Sequence, residues 1–230
     1  MMVDQIDLAA NEPGPDGCLP IVPNPATIET QSPQHIPDRG GNKVRAMLFG
    51  DAVNFSKLDE DQVISFIGPF MKPIARIVRQ HEYSNVARNT WGDGLYLVFD
   101  DIREAGLCAL DICRFIQEQI PASWETNQLP RDLNVRIALH AGPVLGAEDP
   151  ITQQFNCTGT HVSRAARLEP KTPPGEVYAS QAFAALCAEH KITDFSYDYV
   201  RQLDSAKSYG SFPTFVLRHK TKSLGQTQTR

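Results

Sequence analysis

At 230 residues with 41% hydrophobic content, the chain has room for one ordinary domain with a real core, plus tails. Its formal net charge is −5 and its 22 Lys and Arg are scattered, so it offers no basic footprint for nucleic acid. No apolar segment opens the chain, and no window approaches the roughly 18 apolar residues that a membrane span needs, so a soluble, cytoplasmic protein is expected.

The five cysteines, Cys18, Cys108, Cys113, Cys157 and Cys187, lack metal-site spacing and fit reduced thiols. Residues 1–42 carry Pro13, Pro15, Pro20, Pro23, Pro25, Pro33 and Pro37 with little periodic apolar content, which predicts a disordered arm before a domain over 43–218. Residues 44–50 then read as a strand that delivers Asp51 to its end. A carboxylate there, followed by backbone amides at a helix start, suits a metal ion bound to polyphosphate.

Residues 59–81 repeat apolar side chains at helical spacing, with Pro69 and Pro73 implying two helices or one kinked helix. Next, Asn89-Thr90-Trp91-Gly92-Asp93-Gly94 runs into an apolar stretch over 95–99, which reads as a hairpin with Asp93 at its tip. Asp100 or Asp101 can cap a helix to about Gln119, a loop is expected over 121–130, and residues 133–140 alternate as a strand ending at Ala141-Gly142-Pro143.

Strand, helix, strand, strand, helix, strand is the order of an α+β ferredoxin-like βαββαβ core. In that arrangement the end of strand one meets the start of strand three, so Asp51 and Asp93 become neighbours. An extended arm over 149–156, a helix over 158–169 and a short strand over 176–179 follow. A helix over 180–189, closing strands near 195–203 and 212–217, and a polar tail over 219–230 complete the expectation.

Four pieces in this order resemble the class III nucleotidyl cyclase catalytic domain over about 45–217. Phe49-Gly50-Asp51-Ala52-Val53-Asn54-Phe55-Ser56 is similar to its metal and phosphate loop, and Trp91-Gly92-Asp93-Gly94 to its second metal turn. Arg136-Ile137-Ala138-Leu139-His140-Ala141-Gly142 and the stretch from Gly159 to Glu169 match its later motifs.

The resemblance implies a head-to-tail homodimer with composite sites that converts a nucleoside triphosphate to a 3′,5′-cyclic nucleotide and pyrophosphate. Asp51, Asp93 and the Ala52 carbonyl would bind two divalent metal ions, Mn²⁺ or Mg²⁺. The amides of Val53, Asn54, Phe55 and Ser56 would cradle phosphates, with Lys207 a further phosphate contact. Arg167 would stabilise charge on the α-phosphate of a nucleotide held by the neighbouring protomer, and Ser163 stands where the family places a ribose-binding Asn.

Where adenylate cyclases read the base with Lys and Asp, this chain has Asn89 and Thr160, and Trp91 replaces a family Ile or Val. The base-reading half therefore looks rebuilt, in the manner of the pyrimidine cyclases of bacterial anti-phage (Pycsar) systems, whose cyclic UMP or cyclic CMP activates a separate effector. A divergent bacterial adenylate cyclase and an inactive cyclase-like nucleotide-binding module are the rival readings. Bland roles are also open: Asp51 and Asp93 as turn residues, Arg167 as a surface cation near a helix end, and His140 and His161 as structural histidines.

Overall fold

The computed structural model describes residues 42–126, 128–204 and 210–220. The expected arm over 1–42 lies outside them except for Asn42, as does the 219–230 tail except for His219 and Lys220.

The strands are β1 (Asn42–Val53), β2 (Asn85–Trp91), β3 (Gly94–Phe99), β4 (Asn134–Glu148), β5 (Phe155–Thr158), β6 (Val177–Ser180), β7 (Phe195–Asp204) and β8 (Ser211–His219). They form one sheet in the order β2-β3-β1-β4-β6-β8-β7, with β5 paired to β4. The first four in chain order, with the helices between them, make the expected βαββαβ core. The helices are α1 (Glu60–Phe66), α2 (Lys72–Gln80), α3 (Ile102–Thr126), α4 (Thr160–Leu168) and α5 (Gln181–Glu189).

Alternation along the strands gives the sheet two unlike faces. On one, Ala46, Leu48 and Ala52 join Leu95, Leu97, Phe99, Ile137 and Leu139 beneath α1, α2, α3 and α5, which contribute Phe66, Ile74, Ile112 and Phe183 among others. On the other, register pairs Met47 with Val98 and His140, Phe49 with Tyr96 and Ala138, and Asp51 with Arg136. Cross-strand partners share a face, so this second face carries charge beside its apolar residues. Ala165 of α4 and Cys157 of β5 pack on it.

Several elements differ from expectation for identifiable reasons. The 121–130 loop is largely helix, because α3 runs to Thr126 and buries Trp124, whose ring lies 5.8 Å from that of Phe70. That burial outweighs the unfavourable Pro121. The prolines in 59–81 produce a single irregular path, with Pro69 inside a π turn (Ile67–Met71) and Pro73 in the first turn of α2. β4 passes through Gly142 and Pro143, in the stretch between its pairing with β6 at 137–139 and with β5 from 145, where the strand has no second neighbour. Thr158 belongs to β5 instead of α4.

Candidate active site

Gly50 pairs with Leu95 across the β1 and β3 ladder, which sets Asp51 level with the turn before β3. That turn is the two residues Gly92 and Asp93, closed by the pairing of Trp91 with Gly94, and Gly92 takes φ +67 as a tight reversal requires. The two carboxyls meet there. Burial and then the neighbouring Asp51, in hydrogen-bond contact, push the Asp93 carboxyl above the usual range.

Arg136 was quoted in a motif but given no role, and it proves central. Its Nη2 donates to Asp51 Oδ2 at 2.6 Å and its Nε donates to Glu169 Oε1 just beyond α4. Burial raises the Glu169 carboxyl, with Arg136 opposing and Asp51 and Asp93 adding to the rise. Three carboxylates thus share one guanidinium, which leaves the corner acidic. The available signal in the sequence was parity, since an Arg opposite Asp51 in paired strands shares its face.

Among the described residues no group of three or more His, Cys, Asp and Glu could hold a metal on its own. The two aspartates fit a hard divalent ion all the same. Mg²⁺-type ions are commonly held by one or two carboxylates, with waters and substrate phosphates filling the remaining positions. Ala52, the third expected ligand through its carbonyl, lies buried opposite Val135.

The expected phosphate loop needs one correction. Residues 53–56 do not open an α-helix, since α1 starts at Glu60 behind an Asp59 capping box, so its macrodipole is not aimed from these residues. Instead Asn54 turns the chain at φ +71, a left-handed conformation that Asn tolerates, and its Nδ2 donates to the Asp132 carbonyl at 3.1 Å and Oδ2 at 3.0 Å. Val53 ends β1, and Phe55 and Ser56 begin a three-residue 3-10 turn closed by the Lys57 and Leu58 amides on the Asn54 and Phe55 carbonyls. Lys207 lies outside the described residues.

Asn89 and Trp91 stand on the charged face, opposite Tyr96 and Gly94. The Trp91 indole is 54% exposed and lies over Gly94, where a Cβ would come within 2.5 Å of its Nε1. Phe49 links it to Tyr96, with ring centroids 6.2 Å from Trp91 and 4.7 Å from Tyr96.

Thr160, Ser163, Arg164 and Arg167 follow helical spacing along the outer side of α4, while Ala165 and Leu168 pack inward. Thr160 and Asn89 are not joined by any contact seen here. The hydroxyl of Tyr96, the cross-strand partner of Asn89, donates to the Cys157 carbonyl at 2.8 Å and so ties β5 to the strand beside Asn89. Asn156 Oδ1 accepts from the Cys157 amide at 2.8 Å.

The sequence model of the adenylate and guanylate cyclase catalytic domain family matches residues 41–217. The chain belongs to that family. It therefore carries a nucleotide cyclase catalytic domain, of a kind that uses divalent metal ions. Its fold is similar to that of the guanylyl cyclase Cya2, with TM-score 0.66 and 16% identity over 81% of this chain and 97% of that one.

The adenylyl cyclase CyaB of P. aeruginosa gives TM-score 0.66 and 14% identity over 80% of this chain and 98% of that one. The guanylate cyclase domain of RhGC from Catenaria anguillulae, solved with GTP, gives 0.63 and 19% over 78% and 98%. At such identities the likeness is one of fold.

A protein of Acanthamoeba polyphaga mimivirus, named as a serine/threonine-protein kinase/receptor, is 27% identical over 159 residues. The match takes in 59% of this chain, and the chain spans about 10% of that curated relative's length. Among the described residues no helix is long and apolar enough to cross a membrane.

Proposed function

We propose that this cyclase domain works as a head-to-tail homodimer with composite sites and prefers a pyrimidine nucleotide, UTP ahead of CTP. The observation that carries the catalytic part is the meeting of Asp51 and Asp93, with the Asp93 carboxyl raised by burial and then by its neighbour. These two, with the Ala52 carbonyl, would hold two divalent ions, Mn²⁺ or Mg²⁺. Such ions, when bound, make the ribose 3′-hydroxyl more acidic and offset triphosphate charge.

Arg136 keeps Asp51 and Glu169 fixed in orientation. The backbone of Val53, Asn54, Phe55 and Ser56 binds phosphate oxygens, with Lys207 as a second contact. Arg167 presents its planar fork of donors to charge building on the α-phosphate, and Ser163, one turn earlier on the same stripe, is directed at the ribose.

The base preference rests on Asn89, Thr160 and Trp91. A pocket that hydrogen-bonds one base rejects another by leaving buried polar groups unpaired, so exchanging the readers changes the substrate. The exposed Trp91 indole beside the Asp93 turn narrows the space available, which suits a one-ring base. The cyclic product would be read by a separate cyclic-nucleotide-sensing effector, and anti-phage signalling is the setting that fits.

Incubating the protein with each of the four ribonucleoside triphosphates and Mn²⁺, with mass spectrometry of the products, tests this. Cyclic UMP or cyclic CMP is expected. Cyclic AMP alone would make it a divergent adenylate cyclase, and no cyclic product from any of the four would leave a nucleotide-binding module without chemistry.

A further inference from the structure

A cavity of about 350 Å³ lies between α4, the start of α5 and the start of β8. Arg164 and Arg167 line it from α4, His140 from β4, Ser180 and Gln181 from the entry to α5, and Ser211 from β8. None of its described lining residues is acidic. The volume falls at the lower end of the range for small-ligand pockets.

Among the described lining residues the charge comes from the two arginines. Its histidine is neutral at pH 7, because burial first, and then His161 and Arg164, lower the His140 imidazole to about 4. The same Arg164 lowers His161, after burial. Both histidines therefore register the positive potential of Arg164, which no carboxylate among the described lining residues offsets. Arg164 itself makes no hydrogen bond or ion pair with another described residue, so its five N–H donors are open to a ligand.

The walls are held rigidly. His140 Nδ1 lies 2.7 Å from Ser180 Oγ, and His140 Nε2 lies 2.9 Å from His161 Nδ1. The His161 ring occupies the space over Gly142, where a Cβ would come within 2.1 Å of it. Ser180 Oγ also accepts from the Phe183 amide and caps α5, so the first-turn amides of that helix add donor character to the side facing the arginines.

The geometry points to a binding site for a phosphate-type anion in this cavity, held by Arg164 and Arg167 against the start of α5. Two sources share that chemistry: free inorganic phosphate or pyrophosphate acting as an effector, and the pyrophosphate that leaves during ring closure. Because Arg167 is also placed in the catalytic machinery, an anion here would compete for, or fix, that guanidinium. Only this coupling to turnover rests on the proposed cyclase reaction; the anion site rests on the cavity.

The test is calorimetric titration of the full chain with inorganic pyrophosphate in excess EDTA, which removes any metal-dependent contribution. Saturable binding is expected at one site per chain, retained in Asp51→Asn and weakened at least about tenfold in Arg164→Ala and in Ser211→Glu, which sets a carboxylate at the rim. No saturable binding, or binding that both rim variants leave unchanged, would overturn the site.

Inhibition kinetics then separate the sources. Pyrophosphate competing with nucleotide assigns the leaving group, and noncompetitive action shared by orthophosphate assigns a free effector. Either pattern must weaken in Arg164→Ala, and inhibition indifferent to that change counts against the site. A wild type that turns over no nucleotide would sink the cyclase reading alone, since the EDTA titration does not depend on it.

Discussion

The two faces of the sheet are built on opposite terms. Beneath α1, α2, α3 and α5 the closed face is almost wholly apolar, with Phe66, Phe70 and Trp124 in ring contact. The other face carries Asp51, Arg136 and His140 on neighbouring strands and leaves Asn89 and Trp91 open. Burying unpaired charge is far more expensive than leaving it half covered, so a face that must hold carboxylates cannot also be the main source of stability. The closed face supplies the rigidity that the open face uses.

The largest effect expected lies on the open face. Asp51→Ala or Asp93→Ala should reduce cyclic product by more than about 10³-fold while the melting temperature holds, as judged by product assay beside circular dichroism. Activity and melting temperature falling together would erase the distinction between the faces.

Trp124→Ala is the converse. It should lower stability by about 3–5 kcal/mol in a denaturant titration, while turnover per folded molecule persists.

A smaller effect belongs to the rim of the closed face. There His81 Nδ1 lies 2.6 Å from Glu104 Oε2, and His81 Nε2 lies 3.6 Å from Asp111 Oδ2. The contact with Asp111, against burial and with help from the hydrogen-bonded Glu104, raises the imidazole above its ordinary 6.5, while that same contact lowers Asp111. A raised folded-state value stabilises fully below the unfolded pKa and fades as pH climbs through the folded one. His81→Gln should therefore cost about 1.5 kcal/mol at pH 5.5 and much less at pH 9, measured by thermal melts across that range.

The smallest stability change is expected for Trp91→Ala, within about 0.5 kcal/mol because its indole is largely exposed. Its signature should be a change in the ratio of KM values among nucleotides.

Local apolar runs, helical spacing and turn residues made much of this architecture legible. The apolar runs of β1 and β3, the Gly92-Asp93 turn and the order of the βαββαβ core predict that Asp51 and Asp93 are neighbours, and the strand pairing brings them together. What escaped was long-range. Glu169 is 33 residues from the Arg136 it pairs with, and no local pattern announces such a contact. The extension of α3 through Pro121 depends on the Trp124 ring reaching Phe70, a tertiary term that overrides local propensity.

Asn54 is expected from the sequence only as one amide of the phosphate loop, and its φ of +71 is set by the turn it makes against Asp132. The bond from the Tyr96 hydroxyl to the Cys157 carbonyl likewise depends on β5 folding back onto β3, which the arm's own sequence does not encode.

The most direct test of the central claim, that the open face supplies catalytic groups to a site shared by two protomers, is complementation. Asp93→Ala and Arg167→Ala proteins, each inactive alone, should regain nucleotide cyclisation when mixed and allowed to exchange, because one composite site in each mixed dimer then keeps both groups. A mixture that exchanges protomers yet forms no cyclic product would contradict the account.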